Sequence, residues 1–159
     1  MKPKVLPLFL LGFFLFISCG KIKKIGYSEF NDFGYSGMMP SVVYEYFPCK
    51  VLEKDSIDKI YDINLVVKYS LRCHSETLPL EMEVSSLESD TIITEHIDVQ
   101  LFDKDGVPKG KGNYGVYEKI IPLRKRAKIE EGQSISFSTP MPEAKGIVAL
   151  GVVCEKPDK

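Results

Sequence analysis

The segment from 60 to 73, IYDINLVVKYSLRC, decides the fold. From Ile63 onward every second position carries an apolar, aromatic or cysteine side chain, and most positions between them are polar. Successive side chains of an extended chain point to opposite faces, so this two-residue period predicts a long β-strand with one buried face. That face consists of Ile63, Leu65, Val67, Tyr69, Leu71 and Cys73.

Shorter segments on either side repeat the same period. Their apolar faces consist of Val42, Tyr44 and Tyr46; of Leu80, Met82 and Val84, opposite Glu81, Glu83 and Ser85; of Ile93, Ile97, Val99 and Leu101, opposite His96, Asp98 and Gln100; and of Ile135 and Phe137. Glu95 interrupts the third of these faces, and we place it near the end of its strand. The segment 146–154, GIVALGVVC, is apolar on both faces, as expected of a central strand covered on both sides.

Turn-forming residues separate these segments, and none of them has a sustained helical period. The separators are LESDT at 87–91, KDG at 104–106, EEGQ at 130–133 and PMPEAKG at 140–146. Residues 52–62 are compatible with one short helical turn. Six or more strands with one apolar face each need a second layer, which predicts an all-β, two-sheet antiparallel β-sandwich of immunoglobulin-like or jelly-roll-like form. Residues 111–130 predict a strand followed by a hairpin or an irregular edge, where Pro122 is tolerated.

The N-terminal residues have the order of a secretory signal. Residues 1–4, MKPK, are basic, and residues 5–17 carry no charge. A membrane-spanning helix needs about 20 apolar residues, so this run is too short to span a bilayer and instead matches the apolar region of a signal peptide. Ser18 is small and precedes Cys19, which allows cleavage between them. The order resembles the bacterial lipoprotein signal, in which the cysteine thiol takes a diacylglycerol; an ordinary signal peptide with an unrelated cysteine is the alternative.

This interpretation divides the chain into three parts. They are a lipoprotein signal peptide at 1–18, a lipidated tether with an irregular lead-in at 19–40, and a β-sandwich domain at 41–159. Acyl chains on Cys19 would anchor the domain, because each buried CH₂ contributes about 0.8 kcal/mol and two chains make anchoring stable. The Lys21, Lys23 and Lys24 side chains would lie against anionic headgroups. By analogy with lipoprotein sorting, we expect the outer membrane, with the domain in the periplasm.

Composition limits the possible partners and sites. The 141 residues from Cys19 onward suit one domain, and without Lys2 and Lys4 the chain has 19 basic and 22 acidic side chains. This slightly negative balance gives no reason to expect a nucleic-acid partner. Three cysteines follow the signal, namely Cys49, Cys73 and Cys154; one disulfide plus one thiol and three buried thiols both fit. The sequence contains no CxxC pair and no Cys/His cluster, so we expect no metal and no cofactor.

Three short motifs suggest chemistry but also have simpler explanations. GKGNYG at 110–115 matches GxGxxG, but it does not join a strand to a helix, so we interpret its glycines as a tight or bulged connection. DKDG at 103–106 lacks the further ligands of an EF-hand loop and predicts a surface turn. His74 and His96 are the two histidines, and although His96 shares a face with Asp98, no nucleophile is specified for a triad.

The densest charge cluster is RKRAK at 124–128, with Arg124, Lys125, Arg126 and Lys128. Such a run usually protects a strand edge from pairing with another chain. The alternative is a site that binds an acidic partner or lipid headgroups, and we keep these four residues as candidates for partner binding.

From about Asp58 to Lys156 the chain resembles the gliding-motility lipoprotein GldH family of Gram-negative bacteria. The residues that carry the resemblance are YDINLVVKY, LPLEMEV, LFDKDGVPKGKGNYGVYEK and KGIVALGVVCEK, with the D-x-x-G-x-x-x-G-K-G block as the most specific part. The resemblance implies a lipid-anchored cell-envelope protein that is tied to gliding motility and the type IX secretion machinery. It carries over no catalytic residue.

The sequence therefore favours a non-enzymatic lipoprotein that contacts other envelope lipoproteins or secretion-complex proteins. One alternative is a surface-exposed lipoprotein that binds a glycan or another nutrient, although the chain has no tryptophan to stack on a sugar. Another alternative is a periplasmic hydrolase that uses His74 or His96. The sequence leaves the direct partner and the oligomeric state open.

Overall fold

The computed structural model describes residues 25–34, 36–48, 60–87 and 90–158. These residues form two antiparallel sheets that pack face to face, which confirms the predicted all-β sandwich. The strands are β1 (Ile25–Asp32), β2 (Tyr44–Tyr46), β3 (Ile60–Ser70), β4 (Thr77–Ser86), β5 (Thr91–Gln100), β6 (Lys111–Asn113), β7 (Val116–Lys128), β8 (Ser134–Ser138) and β9 (Ile147–Glu155). Within these ranges, no helix has the length and apolar character needed to cross a bilayer.

The first sheet has five strands in the order β1-β9-β3-β7-β6. The long strand β3 pairs with β9 on one side and with β7 on the other. Its inward residues alternate as predicted, and Ile63, Leu65 and Val67 are all buried. β9 lies between β1 and β3, which explains why its sequence is apolar on both faces.

The second sheet has four strands in the order β2-β8-β4-β5. Leu80 and Met82 of β4 are buried against the other sheet, whereas Glu81 and Glu83, which alternate with them, are exposed. The inner faces of the two sheets form one core. Its largest fully buried side chains are Tyr46, Tyr69, Phe137, Leu65, Leu78, Leu80, Met82, Leu101, Ile129, Ile135, Ile147 and Leu150.

Buried tyrosines connect parts of the sandwich that are distant in sequence. The Tyr46 hydroxyl, in the four-stranded sheet, donates a hydrogen bond of 2.7 Å to the Leu150 carbonyl in the five-stranded sheet. Burial raises the pKa of Tyr46 to about 12, so the phenol keeps its proton and donates. Its ring also meets Phe137 edge to face, with centroids 6.0 Å apart.

The N-terminal part of the domain differs from the prediction. Residues 19–40 were expected to be an irregular lead-in, but β1 occupies 25–32 and pairs with β9 at seven positions. The sequence of β1, IGYSEFND, has only three large apolar side chains, and the pairing of β1 with β9 stabilises a strand that its own sequence signals poorly. Residues 19–24 lie outside the described part of the chain.

Three residues predicted on buried faces are exposed, and one of them, Ile93 of β5, has 45% of its surface exposed. β2 begins only at Tyr44, and Val42 lies before it with 39% of its surface exposed. β3 ends at Ser70, where a turn closes by a hydrogen bond from the Cys73 N–H to the Ser70 carbonyl, and Leu71 is 57% exposed in that turn. The alternation of apolar residues continues past Ser70 because it depends on residue types alone. The strand itself ends where its pairing with neighbouring strands ends.

The region between 111 and 130 is a hairpin followed by one long strand. Tyr114 and Gly115 have φ values of 53° and 82° and form the two-residue connection between β6 and β7, as in a type I′ turn. β7 then runs for 13 residues with two register shifts against β3. Pro122 pairs with Asn64 at a point where β6 no longer accompanies β7, so the predicted edge position of this proline is confirmed.

Candidate interaction surfaces

The basic run lies in the second half of β7, but its four residues do not form one cluster. Arg124 is half-buried and donates from Nη2 to a carboxylate oxygen of Glu95 and from Nη1 to the Leu123 carbonyl. Lys125, Arg126 and Lys128 are exposed. The structure therefore separates one arginine that joins the two sheets from three side chains that face solvent.

Arg126 has an uncommon backbone conformation in this run. Its φ is 49°, in the left-handed region that non-glycine residues seldom adopt. Its backbone N–H donates a hydrogen bond of 2.8 Å to an Asp62 carboxylate oxygen, which holds the irregular end of β7 against the start of β3.

Glu95, expected near a strand end, lies in the middle of β5. The register pairs it with Met82 of β4, and its side chain turns toward the other sheet to meet Arg124. Both side chains are about 40% exposed, so the pair closes the margin of the sandwich and is not a buried salt bridge. The sequence signal for this ion pair is the single carboxylate of Glu95 on an otherwise apolar strand face. The sequence does not identify Arg124 as its partner.

A second contact joins β5 to β7. The Lys119 ammonium donates a hydrogen bond of 2.6 Å to the Gln100 backbone carbonyl at the end of β5. Lys109 also reaches the Gln100 side chain at 2.7 Å. The Gln100 end of β5 is thus covered, whereas Ile92 near the other end is 69% exposed among the described residues.

A cavity of about 150 Å³ opens between the sheets beside the Arg124–Glu95 pair. Its lining is mostly apolar. The lining residues are Ile63, Met82, Val84, Ile93, Leu123, Arg124, Ala127, Gln133 and Ile135. Sequence reasoning did not find this cavity, because its walls come from β3, β4, β5, β7 and β8 and no single segment predicts it.

The two strands at this margin have different edges. β7 carries a proline, two register shifts and exposed cations, which are the devices that prevent strand addition. β5 is the last strand of its sheet in the described residues and pairs with β4 in ten consecutive positions without a register shift. It contains no proline, and Ile92 and Ile93 are 69% and 45% exposed.

The outward face of the four-stranded sheet is acidic. Its exposed carboxylates are Glu45, Glu81, Glu83 and Asp98. His96 lies among them, with Nδ1 4.0 Å from a Glu81 oxygen and 80% of its side chain exposed. His96 and Asp98 share this face as predicted, whereas His74 is exposed in the turn after β3, so the two histidines are not brought together with a nucleophile.

The outward face of the five-stranded sheet carries one transverse apolar row. The registers align Phe30, Gly151, Val66 and Ile120 across four neighbouring strands. The Phe30 ring covers Gly151, and the Lys68 ammonium lies 4.6 Å from the centre of that ring. Val66 is only 4% exposed, whereas Phe30 and Ile120 at the two ends of the row are 39% and 57% exposed.

Tyr69 organises the glycine-rich block that carries the family resemblance. Its hydroxyl donates to the Leu101 carbonyl at 2.7 Å and accepts from the Gly110 N–H at 2.8 Å. Between these points, an Asp103 carboxylate oxygen accepts from the backbone N–H groups of Asp105 and Val107, both at 2.9 Å. The block is therefore a surface turn followed by a tight connection, as predicted for DKDG and GKGNYG.

Cys73 and Cys154 are buried free thiols. Burial raises the pKa of both, that of Cys154 to about 12. Cys19 and Cys49 lie outside the described residues, so the lipidation site and any pairing of Cys49 stay predictions. In the ranges that the structure covers, no group of three or more His, Cys, Asp or Glu side chains has the arrangement of a metal site.

In comparisons of sequence and structure, the chain matches no family model, no curated protein and no solved structure.

Proposed function

We propose that this chain is a non-enzymatic, lipid-anchored protein of the cell envelope that acts through protein–protein contacts as an accessory component of gliding-motility or type IX secretion machinery. The observation that carries the proposal is the N-terminal order of basic residues, uncharged run and Ser18-Cys19, placed directly ahead of a β-sandwich. The assignment to gliding-motility or type IX secretion machinery comes from the resemblance of residues 58–156 to the GldH lipoproteins.

The position of β1 supports a domain held close to the bilayer. β1 begins at Ile25, six residues after Cys19. Six extended residues span at most about 20 Å, so a lipid on Cys19 keeps the start of β1 within that distance of the headgroups. The register places the ends of β9 and β7 beside the starts of β1 and β3, so this end of the five-stranded sheet would face the membrane.

The surfaces of the domain favour docking over small-molecule binding. Small-molecule sites usually have volumes of about 300–1,000 Å³, and the cavity beside Arg124 has about 150 Å³. It suits a single ring-sized apolar group better than a glycan or a nutrient. The exposed β5 edge and the acidic outward face next to it are suited to contact another protein.

Lipidation is tested by metabolic labelling with a clickable palmitate analogue in a bacterium that processes lipoproteins. We expect label on the native chain and on Cys49→Ser, the matched control for loss of a thiol, and none on Cys19→Ser. The Cys19→Ser chain should also leave the membrane fraction. Full membrane retention of Cys19→Ser together with an unlabelled native chain would contradict the proposal.

The envelope role is tested by deleting the gene and by crosslinking in intact cells. We expect a defect in secretion or gliding, and crosslinks to envelope or secretion proteins. Intact secretion, motility and envelope integrity in the deletion strain would count against this role. Digestion of the domain by protease added to whole cells would instead support the surface-exposed ligand-binding alternative.

A further inference from the structure

We infer that the edge of β5 between Ile92 and Asp98 docks an extended peptide strand of a partner protein, basic on its outward face and apolar on its inward face. The inference deepens the proposed docking role and rests on it, since it names the surface and the chemistry of the partner. The margin of the sandwich formed by β5 and the second half of β7 contains the features that specify this strand.

The backbone of β5 is the first of these features. A sheet edge offers unpaired N–H and C=O groups, and a partner strand that satisfies them gains affinity from main-chain hydrogen bonds. β5 pairs with β4 at ten consecutive positions without a bulge, so the backbone at its outer edge is regular enough to pair with another strand. The neighbouring edge of β7 has Pro122, two register shifts and three exposed cations, which directs an incoming strand to β5.

The cavity is the second feature. An added strand would turn alternate side chains inward, beside Ile93 of β5 and opposite Leu123 and Ala127 of β7, all of which line the cavity. A cavity of about 150 Å³ with apolar walls has the size that accepts one benzene-like ring. One inward aromatic or large aliphatic side chain of the partner would therefore fill it, and this anchor would set the register of the added strand.

The charge of the outward face is the third feature. Asp98 lies on β5 itself, and Glu81 and Glu83 lie on the neighbouring strand β4, all of them exposed. Outward side chains of the partner are therefore favoured when they are lysine or arginine. The expected strand thus alternates basic residues with apolar ones.

The same charges disfavour a second copy of this chain as the occupant. Pairing of β5 with β5 of a second copy would place the two acidic outward faces side by side. This contact brings like charges together, which costs binding free energy and selects against self-pairing.

The chemistry of the strand is tested by selecting dodecapeptides from a random phage-displayed library against the full chain in detergent. We expect the selected pool to be enriched in alternating peptides, with Lys or Arg at every second position and an aromatic or aliphatic residue at a position between them. A pool without enrichment, or one with uniform charge and no alternation, overturns the inference.

The site is tested with the most enriched peptide and a matched pair of isoleucine variants. Ile93→Ser changes the cavity wall, whereas Ile120→Ser changes a similarly exposed isoleucine on the outward face of the five-stranded sheet, which does not line the cavity. Fluorescence anisotropy should show binding weakened about tenfold or more by Ile93→Ser and changed by about twofold or less by Ile120→Ser. Equal effects of the two substitutions contradict the cavity anchor.

A third variant separates docking from folding. Ala127→Met should fill the cavity from the β7 side and weaken the peptide at least about tenfold, while the thermal midpoint of the free chain stays the same or rises. Hydrogen–deuterium exchange should show that the peptide protects amides of β5. Protection confined to another strand overturns the inference even where the peptide binds.

Other occupants give distinguishable results. A concentration-dependent dimer of the free chain in sedimentation, abolished by Ile93→Ser, would assign the edge to a second copy. Binding to anionic vesicles that is lost on changing Lys125, Arg126 and Lys128 to glutamate, with no selected peptide, would assign the margin to lipid headgroups. A photo-crosslinker placed at Ile93 that captures no envelope protein, in a strain where the gene is needed for secretion, rejects this surface and leaves the proposed function standing.

Discussion

Tyr69 and Cys154 are two buried residues that contribute to the stability of this sandwich in different ways. Each lies on the inward face of a central strand of the five-stranded sheet, and each has almost no exposed surface. Tyr69 satisfies two backbone groups of the connection between β5 and β6, whereas the Cys154 thiol is held among apolar neighbours with its pKa raised by burial. Their substitutions therefore test hydrogen bonding and proton linkage separately.

Tyr69→Phe is expected to destabilise the fold by about 1–3 kcal/mol, because the Leu101 carbonyl and the Gly110 N–H both lose a buried partner. The aromatic contacts with Phe102 and Tyr117 are retained, so the loss isolates the hydroxyl. Urea unfolding followed by circular dichroism measures the difference. Tyr114→Phe, at a position that is 97% exposed, is the control and should change stability by less than about 0.5 kcal/mol.

Cys154 should make the fold sensitive to alkaline pH. Its pKa is raised from 9.0 to about 12, so above pH 9 the unfolded chain releases the thiol proton while the folded chain keeps it. The stabilisation is complete below pH 9 and is lost as pH rises toward 12, with a slope of at most about 1.4 kcal/mol per pH unit.

The measurement is urea unfolding under reducing conditions from pH 7 to pH 11. Cys154→Ala is expected to be less stable at neutral pH because it leaves a small cavity, but its stability should fall less steeply above pH 9. The buried Tyr46 contributes an alkaline decline of its own in both chains. Parallel slopes for the two chains would contradict the assignment to Cys154.

At the scale of elements, the contact between the Phe30 ring of β1 and Gly151 of β9 decides the effect of a substitution at the β1–β9 pairing. A Cβ at Gly151 would lie 2.3 Å from a ring carbon of Phe30, so Gly151→Ala forces the ring to move off β9 and away from Lys68. Without the ring, alanine in a strand is about 0.5–1 kcal/mol better than glycine. The sign of the substitution therefore depends on the residue at position 30.

A double-mutant cycle tests this dependence. We expect Gly151→Ala to destabilise the native chain by about 1 kcal/mol or more and to be neutral or stabilising in a Phe30→Ala chain. The coupling free energy from thermal unfolding at neutral pH is the quantity to measure. Additive effects of the two substitutions would show that the ring does not rest on Gly151.

For the whole molecule, β1 belongs to the domain, and the predicted domain start at 41 is too late. β1 supplies seven register positions to β9 and buries Tyr27 in the core. A chain that begins at residue 41 would expose the edge of β9, which is apolar on both faces and has no protective charge before Glu155.

Chains that begin at residues 25 and 41 test this boundary. The longer one should unfold cooperatively and sediment as a defined species. The shorter one should lose at least several degrees of thermal midpoint and aggregate through β9. Equal midpoints and equal solubility would restore the interpretation of residues 19–40 as a lead-in outside the domain.

The sequence by itself determined the strand composition of this protein. The period of two in β3, β4, β5 and β8, the two-faced apolar run of β9 and the turn residues between them suffice for an antiparallel sandwich, because alternation and turn formation are local properties of the chain. The basic run of β7 is likewise recognisable from its residue types alone, and the lipoprotein signal peptide at 1–18 is a prediction of the same local kind.

Only the tertiary structure decided the candidate surface. The Arg124–Glu95 pair, the cavity beside Ile93 and the contrast between the β5 and β7 edges arise where segments about 30 to 70 residues apart meet across two layers. The weak strand β1 also exists through its partner, 117 or more positions away. Which strand pairs with which, and in what register, is set by the summed free energy of all these contacts, and no local pattern encodes that sum.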